Sequence, residues 1–163
     1  MTTEIHIRTG TLDDLDNMMS LAHMACEENG FLDPNPQKLL KDIYPSLCLD
    51  SGIVGIIGEV GKMPEGAVLL RIGDMWYSDN RVVEEKAIFI HPDYRSAKGG
   101  RARHLCEFSK RVADNLGLPL VIGILSNDRT EGKVRMYRRI FGEPAGAFFL
   151  YGAKTGRWKA AAE

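Results

Sequence analysis

Ile88-Phe89-Ile90-His91-Pro92-Asp93-Tyr94-Arg95-Ser96-Ala97-Lys98-Gly99-Gly100-Arg101 is the stretch on which the reading of the fold turns. Its first residues close a strand that starts at Val82, and Pro92 ends it because proline cannot donate to a strand ladder. Beyond the glycines, Ala102, Leu105, Ser109, Val112, Ala113 and Leu116 recur at helical spacing, and Gly117 closes that segment. The stretch is therefore a strand, a small basic turn and a helix start. That arrangement suits an anion. The first N–H groups of a helix lack intrahelical partners, and the helix dipole adds partial positive charge. Glycine lets a phosphate approach the backbone, and Arg95, Lys98 and Arg101 add formal charge.

Working outward, Ile5 to Arg8 alternates as a short strand. Thr11 opens a helix, with Asp14 three residues on as a capping box, and Gly30 stops it. Leu15, Met18, Met19, Ala22, Ala25 and Cys26 give that helix one apolar face. Asn35-Pro36 reads as an N-cap and first helical residue, and the spacing predicts a helix to about Tyr44, ended by Pro45. Ile53 to Val60 and Gly66 to Tyr77 read as an antiparallel hairpin, and Val82 to Ile90 as the next strand. Gly52, Gly55, Gly58 and Gly61 fit no phosphate motif and read as close packing or bulges. Pro119 to Leu125 reads as a buried strand, Glu131 to Phe141 as a helix and Ala147 to Tyr151 as a last strand. The order is β-α-α-β-β-β-α-β-α-β. That predicts an α/β chain of the mixed-sheet (α+β) kind, with one domain over residues 1–152 and a frayed tail over 153–163.

Composition narrows the class without naming a function. With 163 residues, 44% apolar and 26% charged, the chain is long enough for a core without disulfides or a metal. No apolar run approaches the ~20 residues of a membrane span, and the polar N-terminus is unlike a signal peptide. Cys26, Cys48 and Cys106 are an odd, unpaired set, which reads as reduced thiols in a cytoplasmic protein. Residues 1–90 hold 7 basic and 15 acidic side chains, and residues 91–163 hold 14 and 7. A basic second half fits an anionic partner, or simply basic solvated helix faces. No Walker A loop and no G-x-G-x-x-G fingerprint after a strand is present, and no His/Cys/Asp spacing points to a metal.

The segment resembles the acyl-CoA motif of the GCN5-related N-acetyltransferases, Arg/Gln-x-x-Gly-x-Gly/Ala after a strand ending hydrophobic-x-Val/Ile-x-Pro. Arg95 stands at its first position and Gly100 at its last, while Lys98 replaces the first glycine. Either Gly99 supplies the missing flexibility one residue later, or Lys98 takes positive φ at about 1 kcal/mol or more. The element order matches the family over almost the whole chain. Ser126-Asn127 at a strand end and Tyr137 with Gly142 at a helix end also match, with altered spacing.

The resemblance implies a sheet splayed between strands 4 and 5, with acetyl-CoA as co-substrate and an amine, small or on a protein, as acceptor. It implies that the backbone of Ile88, Phe89 and Ile90 holds the pantetheine arm, that Arg95, Lys98, Gly99, Gly100 and Arg101 hold the pyrophosphate, and that Asn127 contributes. It implies Tyr137 as general acid, the alternative being a packed helix aromatic. Glu84 is the candidate base, the alternative being a solvated charge near a hairpin turn. A bulge in strand 4 swaps that assignment to Glu85. Phe31, Trp76 and Tyr77 are expected at the acceptor side, with Asp33, Asp74 and Asp79 suiting a cationic acceptor. Cys106 reads as core, His91 as structural, and a homodimer is common for this fold. Two other readings stand beside this one. The first is a non-catalytic CoA-binding module. The second is a binder of nucleic acid or acidic protein through Arg129, Lys133, Arg135, Arg138 and Arg139, where the lack of interleaved aromatics argues against base stacking.

Overall fold

The computed structural model describes residues 4–95, 98–126 and 130–153. Its elements run β1 (Arg8–Thr9), α1 (Leu15–Asn29), α2 (Pro36–Leu47), β2 (Gly52–Ile57), β3 (Gly66–Asp74), β4 (Arg81–Ile90), α3 (Arg101–Leu116), β5 (Leu120–Val121) and α4 (Thr130–Phe141). They form a five-stranded sheet in the order β1-β2-β3-β4-β5. The first four strands pair antiparallel and β5 pairs parallel to β4. This is a mixed α+β architecture, with the sheet flanked by helices.

Caps set the early helices. The Arg8 guanidinium donates to both oxygens of Asp14 at 2.8 and 2.7 Å, and Asp14 also accepts the Thr11 N–H at 2.9 Å. Gly30 ends α1 at φ 65°, and the Asn35 side chain accepts from the N–H groups of Gln37 and Lys38 at the start of α2. Pro45 does not end α2, which continues to Leu47. Proline there removes one donor within the last turn, and the helix still closes through the Cys48 N–H on the carbonyls of Tyr44 and Pro45.

Apolar residues cover both faces of the sheet. Met18, Leu21, Ile43 and Leu47 pack with Val54, Ile56 and Ala67 on the α1/α2 side. Leu105 and Ala113 of α3 pack with Ile57, Val68, Leu70 and Val83 on the other. Gly55 is needed for that second contact, since a Cβ there would sit 2.6 Å from the Phe108 ring.

Strand boundaries depart from the sequence reading where a turn or a missing partner intervenes. β1 is displaced to Arg8–Thr9, while Ile5 and Ile7 pack against the α3-side core. β2 stops at Ile57 because Gly58 turns the chain at φ 131°, and β3 stops at Asp74 before a turn closed by the Ser78 N–H on the Met75 carbonyl. β5 is only Leu120–Val121. The expected last strand, Ala147–Tyr151, does not form. Phe149 and Tyr151 are 93% and 99% exposed, and a two-residue β5 offers that segment almost no edge to pair with.

One irregularity positions the site. Leu69 faces Ala87 and Leu70 faces Glu85, so Lys86 is an extra residue in β4. Regular strand alternation would put Glu84, Lys86, Ile88 and Ile90 on one face, and the bulge breaks it. Glu85, opposite the buried Leu70, shares the α3 face with Ile88 and Ile90.

Candidate functional site

The site begins where β4 and β5 part. Their pairing ends at Glu84 opposite Val121, while β4 runs on to Ile90. From Glu85 to Ile90 the β5-facing edge of β4 thus has no strand partner among the described residues. A strand edge with open N–H and C=O groups is a template for an extended ligand.

That edge leads into the basic turn. Gly99 and Gly100 take φ 127° and 64°, and Gly100 is the N-cap of α3. Gly99, with its positive φ, supplies backbone freedom one position after the place of the motif's first glycine. Among the described residues, no side chain caps α3. Its first-turn N–H groups thus open onto the turn. Arg101 lies 5.0 Å over the Tyr94 ring and donates to the Lys98 carbonyl at 3.2 Å. Among the described residues its buried Nε has no hydrogen-bond partner, a polar atom that a bound anion's oxygen suits. Arg95 stacks over Phe89 at 5.0 Å, donates from Nε to the Ile90 carbonyl at 3.1 Å, and pairs with Glu28 through both terminal nitrogens.

At the other end of the open edge, three titratable groups meet. Burial pushes the Glu85 carboxyl up to about 7, against the opposing hydrogen bond from the Gly123 N–H. Burial raises the Tyr137 hydroxyl, and the Cys106 and Glu85 charges add to this. Burial pushes the Cys106 thiol up to about 12, although a hydrogen bond with Tyr137 pulls it back. Cys106 is thus a protonated thiol at neutral pH, not a nucleophile. A carboxylate that titrates near neutrality beside a tyrosine that holds its proton can serve as a base and an acid.

No protein-family model matches the chain, and no curated protein does. Solved structures do. A predicted acetyltransferase from Clostridium acetobutylicum, solved with acetyl-CoA, is similar at TM-score 0.68 and 12% identity over 90% of this chain and 94% of that one. The AAC(6')-Iy enzyme, in complex with the bisubstrate analogue CoA-S-monomethyl-acetylneamine, is similar at 0.65 and 18%, over 91% and 97%. A ribosomal-protein-alanine N-acetyltransferase from Brucella melitensis is similar at 0.63 and 16%, over 90% and 96%. The fold is that of the GCN5-related N-acetyltransferases.

Within this acetyltransferase fold, the residues singled out from sequence fall in two groups. Ile88, Phe89 and Ile90 form the end of the open edge, and Arg95, Lys98, Gly99, Gly100 and Arg101 form the turn it enters. Asn127 lies outside the described residues, as does Arg129. Tyr137 is on α4, its ring 5.6 Å from Phe141 and its hydroxyl against Cys106. Glu84 is exposed and pairs with Lys86 at 3.1 Å. The sequence reading placed Cys106 in the core without its contact to Tyr137, and it missed Glu28 altogether. Neither has a local signal, since each meets its partner only through the fold. Trp76 and Tyr77 stand 93% and 68% exposed at the β3–β4 turn, edge to face at 5.5 Å. No helix among the described residues is long and apolar enough to cross a membrane.

Proposed function

We propose that the protein is an acetyl-CoA-dependent N-acetyltransferase that moves an acetyl group to an amine by direct attack in a ternary complex. The observation that carries this reading is the open β4 edge from Glu85 to Ile90, which runs from the Glu85, Cys106 and Tyr137 cluster into a glycine turn and the start of α3. Acetyl-CoA supplies the activated thioester. The backbone of Ile88, Phe89 and Ile90 would hold its pantetheine arm by strand addition. The Gly99–Gly100 turn, the α3 N-terminus and the basic side chains Lys98 and Arg101 would hold the phosphates.

The bulge at Lys86 favours Glu85 over Glu84 as the base. Glu85 is half-buried and titrates near 7, while the Glu84 side chain faces solvent beside Lys86. Glu85 takes the proton of the acceptor ammonium, directly or through water, and Tyr137 protonates the departing thiolate. Holding the two reactants in line supplies the larger share of the rate. Similar folds carry an aminoglycoside-type bisubstrate analogue in one case and a ribosomal-protein alanine acetyltransferase name in another. Asp33, Asp74 and Asp79, with Trp76 and Tyr77, suit a cationic acceptor here.

The test is thiol release from acetyl-CoA with an amine panel: an aminoglycoside, a polyamine and a peptide with N-terminal alanine. Turnover with any of them that is lost in Tyr137→Phe and Glu85→Gln supports the reading. Tight acetyl-CoA binding with no turnover across the panel, unchanged by Tyr137→Phe, favours the non-catalytic CoA-binding module.

A further inference from the structure

Two of the four cations at the phosphate turn are already matched by carboxylates from distant elements. Glu65, at the start of the β3 hairpin, lies 3.5 Å from Arg101. Glu28, in the last turn of α1, grips Arg95 in a two-pronged pair, with Nη2 to Oε2 at 2.6 Å. Lys98 and Arg103 have no carboxylate partner among the described residues.

The Glu28 pair is the more consequential. Three donors of Arg95 are committed, two to Glu28 and one to the Ile90 carbonyl, and its flat face rests on Phe89. Ile90 and Phe89 belong to the open edge, so Arg95 also occupies a backbone acceptor there. Both partners are partly exposed, at 35% and 41% for the side chains, so solvent and a ligand reach the pair. Glu28 therefore sets a negative charge against a turn otherwise built for anions.

We propose that Glu28 is an internal counter-ion of the phosphate turn, which yields Arg95 when the cofactor's phosphates bind. The proposal rests on the acetyl-CoA reading above. The cofactor's pyrophosphate carries two negative charges against the carboxylate's one and accepts the same two-pronged guanidinium geometry. The α3 dipole acts on it as well. Release of Arg95 also unties the end of α1, which leads through Gly30 to the expected acceptor side. Cofactor binding and the position of α1 are then coupled, and the coupling is reciprocal.

The experiment is calorimetric titration of acetyl-CoA into the wild type, Glu28→Gln, Arg95→Gln and the double variant. Glu28→Gln is expected to tighten acetyl-CoA by about three- to tenfold, because the competitor loses its charge. In the Arg95→Gln background the Glu28→Gln change is expected to have no effect. Because Glu28 is partly exposed, its isostere keeps the fold, and a thermal melt confirms it. Wild-type binding that Glu28→Gln leaves unchanged or weakens overturns this inference alone. Wild type that binds no acetyl-CoA at millimolar ligand overturns the acyl-CoA reading and this inference with it.

Discussion

The Glu85 carboxylate accepts the backbone N–H of Gly123 at 3.4 Å, a long bond that spans β4 and the chain just past β5. It lies at the point where the two strands separate, because Glu84 opposite Val121 is their last pairing. The weak bond from Gly123 leaves most of the burial penalty on this carboxylate uncompensated, which is why it titrates near 7 and not in the usual carboxylate range. That makes its charge a reporter of the cleft.

Glu85 gives a pH prediction in two parts. As a base it acts only when ionised, so kcat/KM should rise through about pH 7, and Glu85→Gln should abolish that limb and cut the rate by about 100-fold or more. The stability effect has the opposite sign. The folded state holds this proton more tightly than the unfolded one, so its contribution is fully present below the unfolded value and is lost as pH rises toward 7. Thermal melts from pH 5 to 8 should show Glu85→Gln gaining on the wild type as pH rises.

Tyr137→Phe removes the hydroxyl that meets Cys106 and keeps the ring beside Phe141. Expected is a fall in kcat of about 10- to 100-fold with acetyl-CoA affinity within twofold of wild type. Steady-state kinetics paired with calorimetry would show it. An unchanged kcat removes Tyr137 from the chemistry.

Gly100 sits at φ 64° directly before α3, and Gly99 at φ 127° has the Ile5 side chain 3.1 Å from where a Cβ would stand. Gly100→Val should weaken acetyl-CoA by about tenfold or more through strain and blocked approach, with a smaller loss of stability. Gly99→Ala should cost stability as well, because it also presses on Ile5. Melting temperatures and Kd values from the same preparations separate the two effects.

Asp14 anchors the entry to α1. Its side chain is fully buried, and Arg8 holds its carboxyl below the usual range, chiefly through their hydrogen bonds. Asp14→Ala leaves Arg8 without its counter-charge, and a loss of about 2–4 kcal/mol is expected by denaturant unfolding. A depressed folded-state value means this stabilisation is present above the unfolded value and is lost as pH falls into the acid range.

What was legible in the sequence was what is local. Gly30, Asn35-Pro36 and Gly117 declare helix ends because caps act within a few residues, and the glycine turn that starts α3 is legible for the same reason. Pro45 misled because its penalty is small in a last turn. The short β5 and the unformed strand at Ala147–Tyr151 were hidden because a strand exists only with a partner edge, which composition does not reveal. The Lys86 bulge, which exchanges Glu84 for Glu85, is a property of register between β3 and β4. The Glu28–Arg95 pair joins residues 67 positions apart, and the Cys106–Tyr137 contact joins two helices. No spacing rule reaches such pairs.

Acetyl-CoA binding is the property on which the proposed chemistry depends most directly. Calorimetric titration of the wild type with acetyl-CoA, with dephospho-CoA and adenine nucleotide as controls, is predicted to give micromolar, saturable binding that Gly100→Val weakens by about tenfold or more. No heat and no thermal shift at millimolar acetyl-CoA would contradict it.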